Sequence, residues 1–178
     1  EGIVLLKNEK DILPLQNVKI NVFGRIQTNY YKSGTGSGGL VNVDYTTSII
    51  EALLENPLVE VNKTLLNTYR VWEKDHPFNA GSGMWASEPW SQVEMALDEA
   101  TLKQAKAFSE VAIVCIGRTA GEDKDNTLTK GSYYLSDLET DMIEQVASNF
   151  KKVVVIMNVG NTMDLSFMDQ YPIQGLLY

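Results

Sequence analysis

Two short apolar runs do most to limit what this chain can become. Residues 111–116 read VAIVCI and run into Gly117, and residues 153–159 read VVVIMNV and stop at Gly160. Such runs, closed by glycine, are the signature of strands buried on both faces of a sheet. Helical patterns separate them from each other and from the weaker strands. Residues 136–150 carry a capping box, Ser136 with Glu139, and an apolar stripe of Leu138, Met142, Ile143, Val146 and Phe150. Residues 98–108 offer Asp98 as N-cap with Leu102, Ala105 and Phe108 inward. Further upstream, residues 18–23 and 59–61 read as strands. Residues 46–54 form a helix with Ile49, Ile50, Leu53 and Leu54 on one side and Ser48 with Glu51 as its capping box. Residues 63–74 form another, with Leu65, Leu66, Tyr69 and Trp72 sharing a side.

Alternation of strand and helix predicts an α/β fold. The expectation is a single domain over residues 1–178, a three-layer αβα sandwich on a mostly parallel, doubly wound, flavodoxin-like sheet. The opening residues 1–15 read as a segment packing onto that domain, with Ile3 to Leu6 as an apolar cluster. The chain starts at Glu1 and ends on the apolar run 175–178, which reads as a strand whose continuation is cut off. The last elements of the sandwich are therefore expected beyond it, in a longer protein.

Loops that follow parallel strands leave at the strands' carboxyl edge, where such sheets bind ligands. Three loops should share that rim: residues 25–44, the loop after Gly117, and residues 158–164. The first holds Ser33-Gly34-Thr35-Gly36-Ser37-Gly38-Gly39, and the second holds Gly121, Glu122, Asp123, Lys124 and Asp125. Gly34, Gly36 and Gly39 satisfy the spacing of a dinucleotide-binding loop. That motif should follow its strand at once and open the helix; here the strand ends near Gly24 and the helix starts near Thr46. The loop reads equally as a polar connection, or as one that brings backbone and the Ser37 hydroxyl to a neutral polyol. Glu122, by composition alone, is a solvated loop acid. Arg118, Asp123, Lys124 and Asp125 are placed to pair with one another and fix the loop's shape. Residues 76–91, HPFNAGSGMWASEPWS, form a long excursion, and long excursions in compact domains tend to be functional or mobile. Its Trp85 and Trp90 either pin the loop by packing or stack on a sugar ring.

Charge narrows the partners. A net charge of -8 argues against nucleic acid or an anionic membrane and suits a neutral ligand. No apolar run approaches the ~20 residues of a membrane-spanning helix. The single histidine, His76, makes a zinc or iron site and a Ser-His-Asp triad unexpected, so neither metal nor cofactor is predicted. Cys115, the one cysteine, excludes an internal disulfide and reads as a core residue.

Four ordered segments together resemble the α/β-sandwich domain of glycoside hydrolase family 3, especially bacterial β-glucosidases. The opening EGIVLLKNEKDILPL is similar to that domain's first segment. GTGSGG followed by TTSIIEALLE looks like its glycine–serine loop and helix. Residues 111–139 look like its strand, the V-x-G-R-x-S-G-E-G-x-D-R loop and the LSD-x-E helix start. VVVIMNVGNTMDL looks like the next strand and turn. The resemblance implies a retaining β-glycosidase acting on a β-glucoside. Its nucleophilic aspartate would lie on a separate (β/α)8-type barrel domain, absent from this chain, and Glu122 would be the acid/base residue. Ser37 matches a position that can reach bound sugar. The alternative is a non-catalytic nucleotide- or sugar-binding module, or a degenerate relative. Among the departures from the family pattern, Asp123 stands for a glycine and Asn126 for an arginine. An acid/base glutamate needs a carboxyl that holds its proton near neutral pH, through desolvation or a neighbouring carboxylate. An open rim loop supplies neither by itself, so a second domain would have to close over it.

Overall fold

The computed structural model describes residues 2–37, 39 and 42–178. Its elements are β1 (Leu5–Asn8), β2 (Val18–Phe23), α1 (Ile49–Glu55), β3 (Val59–Val61), α2 (Lys63–Asp75), α3 (Glu99–Phe108), β4 (Val111–Arg118), α4 (Asp137–Asn149), β5 (Lys152–Val159), α5 (Phe167–Gln170) and β6 (Gly175–Leu177). They build one six-stranded sheet in the order β1-β6-β5-β4-β2-β3. All neighbours pair in parallel except β1, which lies antiparallel on β6. The mostly parallel α/β sheet expected from the alternation is the one observed.

β4 is the spine, and all eight of its residues are buried. Its side chains divide by the two-residue period of a strand. Ala112, Val114 and Ile116 enter a core with Leu65 and Tyr69 of α2, Leu102 of α3, and Met142, Ile143 and Val146 of α4. Val111, Ile113 and Cys115 enter a second core with Ile20, Val22 and Ile50 of α1. The two faces are covered unequally: three long helices on one, and α1 with Leu66 of α2 on the other. Cys115 is buried without exposure, and burial raises its thiol pKa far above the usual range. It is a core residue.

The caps fall where the residue types place them. Ser48 with Glu51 and Ser136 with Glu139 form complete capping boxes, and the Asp98 side chain accepts from the Thr101 N–H. Helix α1 nonetheless begins at Ile49, three residues after Thr46, because Ser48 in an extended conformation is the cap itself. The opening segment packs onto the second core through Ile12, Leu13 and Leu15, but its first half departs from expectation. It is an edge strand, and Ile3, Val4, Leu5 and Leu6 are each at least half exposed rather than packed onto the domain. Pairing with β6 uses the backbone and leaves those side chains outside the two cores.

Candidate functional site

The strand order reverses between β2 and β4. The chain leaves β2 toward β3 on one side and leaves β4 toward β5 on the other. At such a switch point the loops part in opposite directions and open a crevice at the carboxyl edge. The two loops that part here, after β2 and after β4, carry Ser37 and Glu122.

The loops meet backbone to backbone. Thr35 and Gly121 form a parallel bridge, with the Thr35 N–H donating to Ala120 O at 2.6 Å and the Glu122 N–H donating to Thr35 O at 3.3 Å. Glycine is required on both sides. A Cβ at Gly121 would lie 2.2 Å from Thr35 O, and one at Gly36 would lie 2.6 Å from the Glu122 Cβ. Gly36 also holds φ at 95°, a left-handed backbone. The glycine-rich loop thus uses its glycines to approach the Glu122 loop. Among the described residues no helix opens beside it, α1 starting only at Ile49, so the helix N-terminus on which a dinucleotide fold seats its phosphates is not found at this loop.

Glu122 is exposed, and Ser37 is its contact. The Ser37 hydroxyl donates to the Glu122 Oε2 at 3.2 Å, with the Ser37 N–H at 3.4 Å. The sequence singled out both residues, and the fold brings them together across 85 positions of chain. The third expected loop shares the rim as well. Asn158 exchanges hydrogen bonds with the Tyr31 backbone, and Asn161 Nδ2 donates to Lys124 O and to Asn126 Oδ1. The side chain of Asn126, where the family pattern has arginine, also donates to Thr162 O. It ties the Glu122 loop to the β5 loop.

The charges of the Glu122 loop do not pair with one another. Arg118, wholly buried, pairs with Glu139 at the start of α4 through two hydrogen bonds of 2.6 and 2.7 Å. It also donates to Ser132 O at 3.0 Å and Tyr134 O at 3.2 Å, so it fastens the end of the loop to its beginning. Asp123 and Lys124 turn instead to the excursion. Asp123 Oδ2 accepts from Trp85 Nε1 at 2.9 Å. Lys124 Nζ donates to Ala86 O at 2.9 Å and sits 4.6 Å from the centre of the Trp90 ring. Thr119 completes the seam, its N–H on Trp90 O at 2.9 Å and its hydroxyl on Glu88 at 3.1 Å. Asp123 holds φ at 58°, the left-handed backbone a glycine would adopt at no cost and aspartate tolerates. Aspartate here thus holds a backbone that a glycine could also hold, and its carboxylate grips the excursion.

Sequence reasoning missed the residue that closes the excursion. Arg25, just after β2, is buried and donates to Val93 O at 2.8 Å and His76 O at 2.9 Å, spanning both ends of the segment. Asn29 Oδ1 accepts from its Nε and Nη2. Nearby, Glu94 accepts from the backbone N–H of Arg25 at 3.0 Å and of Met95 at 2.8 Å. Burial pushes its carboxyl up to about 8 despite those donors. A basic residue placed just after a strand, at the sheet's carboxyl edge, was the available signal. His76 stacks on Trp72 with ring centres 4.3 Å apart, and no group of three His, Cys, Asp or Glu side chains among the described residues could hold a metal.

An α/β domain that displays a carboxylate at its switch point is the class this fold and rim define. Residues 3–178 match the glycosyl hydrolase family 3 C-terminal domain, and the chain belongs to that family. It is 46% identical over 179 residues to a β-glucosidase of Ruminococcus albus, covering 100% of this chain and 19% of that protein. Beta-glucosidase A of Butyrivibrio fibrisolvens is 29% identical, over 94% of this chain and 22% of its own length. The solved structure of a Paenibacillus barengoltzii β-glucosidase superposes with a TM-score of 0.95 at 47% identity, over 99% of this chain and 20% of that one. Thermotoga neapolitana β-glucosidase 3B, solved in complex with glucose, gives a TM-score of 0.84 at 33% identity, over 99% and 25%. This chain spans about a fifth of the length of the relatives it matches.

Proposed function

We propose that this chain is the acid/base-bearing domain of a retaining β-glucosidase. Glu122 is the proton-handling residue, and the Ser37 hydroxyl orients it and reaches the sugar. The nucleophilic carboxylate comes from a barrel domain of the same longer protein. In the first step the nucleophile forms a bond to the anomeric carbon while Glu122 gives its proton to the departing glycosidic oxygen. In the second, Glu122 takes a proton from water as that water displaces the enzyme from the anomeric carbon. The two carboxyl groups must then stand about 5–5.5 Å apart across the sugar.

The observation that carries this reading is the placement of Glu122. It stands exposed on the crevice rim, on a loop pinned by Thr35, Arg118 and Asn126, with Ser37 as its side-chain hydrogen-bond donor among the described residues. A fixed loop presenting an accessible carboxylate suits closure by a second domain, and that closure supplies the desolvation a proton donor needs.

Glu122→Gln in the full-length protein tests it. Hydrolysis of glucosides with poor leaving groups is expected to fall by about 100-fold or more, the scale of general acid catalysis, while activated aryl glucosides are largely spared in kcat/KM. Equal loss on both would mean structural damage instead. Azide should rescue Glu122→Ala by adding to the anomeric carbon. The 178-residue chain alone is expected to hydrolyse neither substrate.

A further inference from the structure

The Glu122 loop is held from the β5 side as well as by Thr35. Gly160, just past β5, lets the turn after that strand close on the loop, since a Cβ there would lie 2.6 Å from the Ala120 Cβ. Asn161 follows. Its Nδ2 donates to Lys124 O at 3.2 Å and to Asn126 Oδ1 at 3.0 Å, two and four residues beyond Glu122. The Asn126 amide returns a bond to Thr162 O, so the contact is reciprocal. The Asn161 carbonyl accepts from the Tyr178 hydroxyl, at the end of β6. One neutral, half-buried residue thus joins β6, the β5 turn and the Glu122 loop. Between the holds at Ala120 and Lys124 the backbone turns sharply. Gly121 has φ at 138° and Asp123 at 58°, and the Lys124 N–H closes on Gly121 O at 3.1 Å. A left-handed backbone at a residue other than glycine persists where its surroundings hold it.

Resting on the acid/base reading of Glu122, we propose that Asn161 is a positioning residue for the proton donor. It acts through the loop, fixing the backbone on the far side of Glu122 from Thr35, and so sets where the Glu122 carboxyl stands. Proton transfer needs heavy atoms within about 2.6–3.2 Å, and a displacement of about 1 Å can cost on the order of 100-fold. Glu122 is exposed, so packing around its own side chain does not fix it, and its place depends on its backbone. The other holds differ in kind. Thr35 works through its backbone N–H and C=O, which no substitution removes, and Arg118 carries a buried charge paired with Glu139. Asn161 is neutral and half-buried, so its loss loosens the loop without stranding a charge.

The test is made in the full-length protein on two aryl β-glucosides that differ in leaving group: phenyl, a poor one that needs a proton, and 2,4-dinitrophenyl, a good one that needs little. Asn161→Ala is expected to lower the phenyl-to-dinitrophenyl ratio of kcat/KM about tenfold, with the dinitrophenyl value nearly kept. On the dinitrophenyl glucoside kcat and KM should fall together, because a displaced Glu122 also slows the attack of water on the glycosyl-enzyme. Azide, which needs no base, should restore that kcat. A merely structural role would lower kcat/KM on both substrates alike and leave azide without effect. Asn161→Asp keeps the volume but turns an acceptor toward Lys124 O and Asn126 Oδ1, and should lower the ratio at least as far. In the Glu122→Gln background, Asn161→Ala should change the ratio by less than about twofold, since a residue acting through Glu122 then has no proton donor to position. An unchanged ratio in either Asn161 variant, equal loss on both substrates, or a full tenfold fall in the Glu122→Gln background overturns the proposal. Glu122→Gln alone separates the two readings. A fall in its ratio supports the acid/base role whatever Asn161 does, and an unchanged ratio overturns that role and the positioning with it.

Discussion

The Glu122 loop and the excursion are each closed at the base by one buried arginine, and the two arginines are handled differently. Arg118 has a carboxylate partner: Glu139 meets it with two bonds, and Ser132 O and Tyr134 O take further donors. Arg25 donates to neutral acceptors, the carbonyls of His76 and Val93 and the Asn29 amide, with its guanidinium 5.2 Å from the centre of the Trp72 ring. Burial lowers the Arg25 pKa, against the pull of Glu94 and Glu73. Both geometries clamp a loop. The first fixes a charge with a charge and holds the loop that displays Glu122. The second fixes the excursion, with a carboxyl beside it whose protonation changes in the neutral range.

Breaking the paired clamp should cost most. Glu139→Ala strands the buried Arg118 charge and removes the α4 capping box, and a loss of about 3–5 kcal/mol is expected in denaturant unfolding. A loss under ~1 kcal/mol would show that solvent reaches Arg118 easily. Arg25→Met leaves two part-buried carbonyls short of a donor but no unpaired charge. A loss of about 2–3 kcal/mol is expected, with faster protease cleavage confined to residues 76–93. Equal costs for the two variants would erase the contrast drawn here.

The smallest effect is on pH dependence. The Glu94 carboxyl is pushed from 4.5 to about 8 by burial, so the folded state holds a proton that the unfolded state releases. Its contribution to stability is full below about 4.5 and is lost as pH rises toward about 8. The thermal midpoint should therefore drift down across that window, and Glu94→Gln should flatten the drift. A midpoint that rises from pH 5 to 8 in the native protein and is unmoved by the substitution would mean that the two N–H donors outweigh burial.

Much of this was legible because it depends on neighbours in the chain. The runs at 111–116 and 153–159 made β4 and β5, and Ser136 with Glu139 capped α4, since capping needs only three residues of separation. Glu122 and Ser37 were picked out from motifs, and the rim that unites them followed from parallel-strand geometry. Glu139 was read as a cap and not as the partner of Arg118, 21 residues away, because nothing local predicts that pair. Gly34, Gly36 and Gly39 matched the spacing of a phosphate cradle but not its place between strand and helix. Their purpose appeared only once Gly121 was seen against Thr35.

The sequence by itself determined the five parallel strands, the order of the elements between them and the two residues at the rim, through periodicity, caps and a resemblance carried by short segments, but not the antiparallel edge strand β1. Only the tertiary structure decided which charges pair, that Asp123 faces Trp85 rather than Lys124, and that Trp85 is the open tryptophan and Trp90 the packed one. The physical reason is that propensity and capping act over a few residues. Ion pairs, loop-to-loop approach and exposure depend on residues that meet only after the chain has closed on itself.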